Sequence, residues 1–310
     1  QMKILVTGGC GFIGSSFMEL MLDKPDVSIV NIDKLSYCSN KNICKQYGDR
    51  YELIPSDINE IANVLNEKYS DIDQIFHFAA ESHVDNSISD PFPFIESNVT
   101  GTFRVLEYAR KHNKPILIVS TDEVYGSLSL NDKPSTEKDP LKPSSVYSSS
   151  KASADLIALS YFRTFGTKVI ITRCCNNYGV NQYKEKFIPT IFNSLKNETK
   201  IPIYGNGENV REWINVLDHC EAVWAASQKG RFGEIYNIGS GYECSNLELV
   251  KKAIKVWGAD ESSMSFVKDR KGHDVRYSLD SSKIKKETGW SPKYTNMDAF
   301  VEFASEMWKK

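Results

Sequence analysis

TGGCGFIG, residues 7–14, decides the fold. It follows an apolar run, KILVT (3–7). It opens a pattern in which Ile13, Phe17, Leu20 and Met21 share one face at helical spacing. A strand, a glycine-rich turn and a helix in that order form the phosphate-binding turn of a dinucleotide fold. Gly8 and Gly9 permit the tight turn, and Gly11 removes a side chain where a pyrophosphate approaches the backbone. Gly14 lets helix and strand pack closely. The phosphates then sit at the helix's positive end, with Phe12 and Ile13 in the same turn as further cofactor contacts.

Outward from that turn, short Ile- and Val-rich runs alternate with helical patterns. SIVNID (28–33), YELI (51–54), QIFHFA (74–79), ILIVST (116–121) and KVIITR (168–173) read as strands buried on both faces. Segments 99–112 and 146–165 read as helices. This alternation predicts βαβ units and a parallel sheet covered by helices on both sides. After residue 176 the regularity drops. IPIY (201–204), REWINV (211–216) and EIYNIG (234–239) read as short strands. Ser245 with Glu248 reads as a capping box, followed by an apolar stripe of Leu247, Val250, Ile254 and Trp257. The expected fold is α/β: a Rossmann-type doubly wound parallel sheet with a smaller carboxyl-terminal α/β substrate-binding domain. Residues 2–176 form the cofactor domain, with returns near 211–240. Residues 177–310 form mainly the substrate domain, and the two interleave.

Asp33 ends the second strand nineteen residues beyond Gly14, where a carboxylate accepts hydrogen bonds from ribose hydroxyls and repels a 2′-phosphate. It points to NAD, with Lys34 beside it. Asp57 and Ile58 follow the third strand within reach of the adenine. The 310 residues carry 38 Lys+Arg against 40 Asp+Glu, a formal net charge of -2, which marks out no nucleic-acid or membrane partner. No apolar run nears the roughly 20 residues of a membrane span. The sequence enters its first strand without a signal-peptide pattern, which predicts a cytoplasmic protein. Seven cysteines without a C-x-x-C pair read as small core residues, with no metal site. His77, inside a strand pattern, reads as a satisfied core histidine.

STDEVYG (120–126) begins at the carboxyl end of the fifth strand, the edge along which open α/β sheets bind ligands. Tyr147 and Lys151 are one helical turn apart, so they share a face. An ammonium near a phenol lowers the phenol's pKa, which makes Tyr147 a base for a sugar hydroxyl that Thr121 shares.

These segments, together with NIDKLSYCSN, FHFAAESHVDNSI, YSSSK, CCNNYG, EKFIP, PIYGNGENVREW, YNIGS and RKGHDVRY in order, resemble an extended short-chain dehydrogenase/reductase. Within that superfamily the chain is most similar to the nucleoside-diphosphate-glucose 4,6-dehydratases, from Met2 to about Trp290. The resemblance implies an NAD-dependent hydro-lyase acting on dTDP-glucose or UDP-glucose. In that cycle Tyr147 takes the C4 hydroxyl proton while hydride leaves C4 for the cofactor. Glu123 removes the C5 proton, Asp122 protonates the departing C6 hydroxyl, and hydride returns to C6. Adjacent Asp122 and Glu123 then need pKa values pushed apart. Ala79, Ala80, Ser82, Tyr147, Lys151 and Asn177 are implied near the cofactor. Ser82, Asn176, Lys186, Phe187, Arg211 and Asn246 are implied around the sugar and diphosphate. Pro202 and Tyr204 border the nucleobase, and Arg270 and His273 close over the nucleotide. A homodimer through the helices at 99–112 and 146–165 is also implied.

The chain departs from the family pattern at Cys10, Lys271, Phe187, CCNNYG and VNQY (180–183), which bears on nucleobase preference. Two rivals share the cofactor turn. A nucleotide-sugar epimerase or decarboxylase keeps Tyr147 and Lys151 without needing Asp122–Glu123. A non-catalytic dinucleotide sensor would not need the catalytic set.

Overall fold

A computed structural model describes residues 1–310. Its first six strands are β1 (Met2–Thr7), β2 (Val27–Asp33), β3 (Tyr51–Pro55), β4 (Gln74–His77), β5 (Ile116–Thr121) and β6 (Val169–Cys174). The rest are β7 (Asn176–Tyr178), β8 (Ile201–Tyr204), β9 (Val210–Asn215), β10 (Ile235–Ile238), β11 (Glu243–Ser245) and β12 (Met264–Val267). The longer helices are α1 (Phe12–Leu22), α2 (Thr102–Lys111), α3 (Val146–Phe165), α4 (Phe187–Lys196), α5 (Val216–Lys229), α6 (Asn246–Trp257) and α7 (Asp298–Lys309). No helix is long and apolar enough to cross a membrane.

The large sheet has the order β10-β6-β5-β4-β1-β2-β3, and every pairing in it is parallel. All residues of β4, β5 and β6 are buried, because helices cover both faces. The strand order reverses between β1 and β4, which opens a crevice at their carboxyl ends. β10 comes from far along the chain and joins this sheet beside β6. The carboxyl half builds two smaller sheets, β11-β9-β7 and β12-β8, around a core that includes Phe192, Trp213, Leu249 and Ile254.

The ends of α3 follow from its sequence. Ser145 and Ser148 form a reciprocal capping box, and Gly166 stops the helix with φ 68°. The expected box at α6 is present too, with Glu248 N donating to Ser245 Oγ at 3.1 Å. The helix expected over 99–112 starts earlier, through a π-helical stretch at Ile95–Gly101 that runs into α2. There Gly101 leaves room for Ile58, whose Cδ1 lies 2.5 Å from where a Cβ would stand. Six of the seven cysteines are buried, and Cys38 is exposed.

The interior also holds a charge pair. Arg173 on β6 donates its Nε to Asp155 Oδ2 on α3 at 2.9 Å, and both side chains are buried. Ser120 Oγ donates to the same carboxylate oxygen at 3.0 Å. Arg173 Nη1 donates to Tyr125 Oη at 3.0 Å, and that hydroxyl donates to Asn237 Oδ1 at 2.6 Å. One network therefore ties α3 to β5, β6 and β10.

His77 is a buried, satisfied histidine, with Nδ1 2.6 Å from Thr7 Oγ1 and Nε2 2.9 Å from Thr102 Oγ1. Burial pushes it down to about 3, as it does for buried His219.

Two outcomes are expected. Asp155→Ala strands the Arg173 guanidinium and should cost about 3–5 kcal/mol in urea unfolding. The double change Asp155→Leu with Arg173→Met should cost less than that; additive losses would show that the pair is not coupled. Second, both histidines stay neutral in the folded chain below their ordinary 6.5. The unfolded chain takes up those protons first, so stability should fall as pH drops from 6.5 towards 3. The slope is about 1.4 kcal/mol per pH unit for each ring. Ring resonances of either histidine titrating near pH 6.5 in the folded protein would contradict this.

Candidate active site

The cofactor-side candidates gather at the carboxyl ends of β1, β2 and β4. Gly8 has φ 71°, and a Cβ there would lie 2.6 Å from the Ala79 Cα. A Cβ on Gly14 would meet the Gly8 carbonyl oxygen at 2.4 Å. Both positions therefore exclude a side chain. Gly11 precedes α1 without a side-chain cap, and the first turn holds no acidic residue. The free amides and positive end of α1 are thus open to an anion. Phe12 begins α1 and packs near Gly179, while the Ile13 carbonyl lies 3.7 Å from Cys220 Sγ.

Asp33 is buried and accepts from Cys10 N at 2.9 Å, Leu35 N at 2.8 Å and Ser39 Oγ at 3.3 Å. A carboxylate has about four acceptor sites, so one remains for a hydroxyl. Lys34 is paired with Glu81 at 2.5 Å. These features fit a dinucleotide. Asp57 caps a short turn by accepting from Asn59 N at 2.9 Å, and Ile58 is buried against Gly101. The Ile58 side chain therefore packs into the core more than it faces the crevice.

After β4, Ala79, Ala80 and Ser82 follow the strand into the crevice. Asn98, which the sequence reading missed, holds this segment: its Oδ1 accepts from Glu81 N at 2.8 Å. Its Nδ2 donates to Glu81 O and to Ser150 Oγ, each at 3.0 Å. Asn177 on β7 is buried, with Oδ1 2.9 Å from His219 Nδ1 and Nδ2 donating to Cys175 O at 3.1 Å. Asn176 precedes it on the same strand, half-buried.

The catalytic candidates sit where β5 ends and α3 begins. Thr121 caps the turn Asp122–Tyr125, its Oγ1 accepting from Glu123 N at 3.2 Å and donating to Asp122 Oδ1 at 3.3 Å. Asp122 Oδ2 is buried without a partner. Burial raises Asp122 well above the usual carboxylate range, and Glu123 and Glu212 push it further. Glu123 is also raised by burial, but the cations of Arg211, Lys186 and Arg270 pull it back. The two carboxyls thus sit in different fields: at Asp122 the acids come first and Arg211 only partly offsets them, whereas at Glu123 three cations oppose Asp274. Glu212, also missed from sequence, is buried on β9 and accepts from Leu279 N at 2.9 Å.

One expectation is corrected. Lys151 does not lower the Tyr147 phenol in this arrangement. Its Nζ donates to Val119 O at 3.0 Å. Burial, with Glu123, Cys174 and Asp122 nearby, pushes the buried phenol well above its ordinary value, against a smaller pull from Thr121. Burial lowers Lys151 itself.

The substrate-side candidates form one shared cavity and several separate contacts. Lys186, at the start of α4, donates to Ser82 Oγ at 3.4 Å. Phe187 stacks on Trp213 at 6.4 Å. The Arg211 guanidinium lies 4.6 Å over the Tyr277 ring. Arg270 lies 4.7 Å over Tyr204, whose ring meets His273 edge-on at 6.3 Å. Arg211, Arg270 and His273 line one cavity with Glu123. Ser82, Asn176, Lys186, Phe187, Pro202, Tyr204 and Asn246 lie outside that lining.

With this geometry in view, comparison with known proteins is informative. A family profile described as GDP-mannose 4,6 dehydratase matches residues 5–303. A dTDP-glucose 4,6-dehydratase of Mycolicibacterium smegmatis is 42% identical over 301 residues, covering 96% of this chain and 90% of its own length. The crystal structure of DesIV, a dTDP-glucose 4,6-dehydratase from Streptomyces venezuelae with NAD and TYD bound, superposes with TM-score 0.93 at 43% identity, covering 99% of this chain and 96% of that one. A UDP-glucose 4-epimerase from Thermotoga maritima with UDP-glucose reaches TM-score 0.90 at 26% identity, covering 99% of both chains. The backbone alone therefore does not separate dehydratase from epimerase; sequence identity does. The chain belongs to the GDP-mannose 4,6-dehydratase family, among its dTDP-glucose 4,6-dehydratase members.

Proposed function

We infer that the protein is an NAD-dependent hydro-lyase that converts dTDP-glucose to its 4-keto-6-deoxy sugar. The observation that carries this reading is the pair Asp122–Glu123, held side by side in the turn after β5 and charge-coupled to the Tyr147 phenol, with acids weighing more on Asp122 and cations more on Glu123. An epimerase needs one base at C4; a dehydratase needs a further base and a further acid.

The glycine turn, Asp33 and the free end of α1 would hold the cofactor, and the engagement of Lys34 with Glu81 favours NAD over its 2′-phosphate form. Bound there, the dinucleotide would supply a hydride acceptor for C4, the donor for C6, and positive charge beside the reacting groups. Tyr147 takes the C4 hydroxyl proton, with Thr121 sharing that hydroxyl. The resulting ketone acidifies the C5 hydrogen, which Glu123 removes as a proton. Asp122, protonated by its surroundings, gives its proton to the C6 oxygen as the C6–O bond breaks and water leaves. Glu123 returns a proton to C5 as C6 is reduced, and Tyr147 and Asp122 re-equilibrate with solvent. Arg211, Arg270 and Lys186 neutralise the diphosphate, with arginine offering parallel donors to phosphate oxygens. Ser82 and Asn176 would contact the sugar, Asn177 the cofactor, and Pro202, Tyr204, Asn246 and His273 the nucleotide.

The chain is further proposed to form a homodimer through α2 and α3. Ile95, Phe103, Leu156 and Phe165 are exposed on these helices and the π-helical stretch before them. Exposed apolar side chains on neighbouring helices are the kind of surface that association covers.

With dTDP-glucose deuterated at C4, deuterium should appear at C6 of the product. Glu123→Gln should still oxidise C4 while slowing elimination by about 10²–10⁴-fold. Inversion at C4 without loss of water would instead identify an epimerase. Leu156→Glu should shift the sedimenting species from dimer towards monomer; a parent that sediments as a monomer rules the dimer out.

A further inference from the structure

We propose that Asp274 is a positioning residue that transmits occupancy of the diphosphate site to the first turn of the catalytic helix α3. This rests on the dehydratase reading for its ligand; Asp274 shares a cavity with Glu123 and pushes that carboxyl up, and the link argued here is a different one, through Ser144.

Asp274 is buried and has contacts on two fronts. Its backbone carbonyl accepts from Arg211 Nη2 at 3.1 Å and from Asn209 Nδ2 at 2.9 Å. Arg211 Nη1 donates to Val210 O at 2.9 Å. Of the guanidinium's five N–H donors, the others are free for phosphate oxygens. The carboxylate of Asp274 faces the other way. Its Oδ2 accepts from Ser144 Oγ and from the Tyr277 hydroxyl, and the Tyr277 ring lies under Arg211.

Ser144 immediately precedes Ser145, the N-cap of α3, and Tyr147 lies in the first turn of that helix. A carboxylate just ahead of a helix N-terminus also interacts favourably with its positive end. One residue thus touches the cation expected to meet the diphosphate and the segment that leads into Tyr147. Ser144, Ser145, Arg211, Arg270, His273 and Asp274 line the same cavity, so a ligand held by the arginines lies beside both ends of the link. Binding energy from the unreactive nucleotide can then be used to place the base.

The link is cut most gently at Ser144, which is exposed. The probe is dTDP added to the NAD-loaded full chain, read by amide hydrogen exchange at residues 148–150. In the parent, dTDP should slow exchange in that turn. In Ser144→Ala, dTDP should bind within about twofold of the parent, as for a surface change. The slowing should be lost, and kcat on dTDP-glucose should fall about tenfold or more with little change in KM. Ser144→Thr, which keeps the hydroxyl, should restore both. Unchanged protection and kcat in Ser144→Ala would overturn the proposal, as would a parallel loss of dTDP affinity, which marks a plain binding role. If dTDP binds and protects the helix but dTDP-glucose is not turned over, the coupling stands and the dehydratase reading fails. If dTDP does not bind, both fail.

Discussion

The buried pair between Asp155 and Arg173 is the constraint on which the site depends. Asp155 lies one helical turn beyond Lys151, and two turns beyond Tyr147, on α3. Its partner is on β6, and Ser120 on β5 shares the same oxygen. The helix that carries Tyr147 and Lys151 is thereby held against the strand that delivers Asp122 and Glu123. A buried ion pair adds little net stability, because desolvation offsets attraction. Its value here is geometric: it permits one placement of the helix, with each donor of the network directed at a specific acceptor. Tyr125 and Asn237 extend the same restraint to β10, so the last strand of the sheet is held by the network that sets the site.

Within that frame, electrostatics divides the labour between two adjacent carboxyls. Burial raises both. At Asp122 the neighbouring acids outrank Arg211, while at Glu123 two arginines and a lysine from the carboxyl half of the chain oppose Asp274. A protonated acid beside a more easily ionised base is the pairing that elimination of water requires. The cations proposed to meet the diphosphate are the ones that pull Glu123 down, which in that reading links substrate binding to chemistry. Tyr147 stands at the other extreme. Its phenol is pushed up by burial and neighbouring acids, so in the proposed reading a base there would need added positive charge, which a bound oxidised dinucleotide would supply.

The close superposition with a UDP-glucose 4-epimerase shows how little of the reaction is written in the backbone. The crevice at the strand-order switch, the glycine turn and the Tyr147–Lys151 face suit any enzyme that oxidises a nucleotide-sugar. In the proposed reading, the dehydratase chemistry rests on Asp122 and Glu123, on a turn that Thr121 caps.

Much of this was legible in the chain itself. Strands buried on both faces show as unbroken apolar runs, and α3 is bounded by a capping serine and a terminal glycine, so local pattern determined the sheet and the catalytic helix. The order of glycines, Asp33, Asp122–Glu123 and Tyr147–Lys151 determined the family. The π-helical stretch before α2 was not legible, because it is set by Ile58 fitting against Gly101 from another part of the chain. Nor were the Asp155–Arg173 network, the role of Asn98, or the approach of Glu212 to Asp122. Only the tertiary structure decided that Lys151 bonds to the Val119 carbonyl and that the Tyr147 phenol is pushed up rather than down. The reason is physical: hydrophobic period and capping depend on neighbours in sequence, whereas desolvation and long-range pairing depend on what packs there from elsewhere.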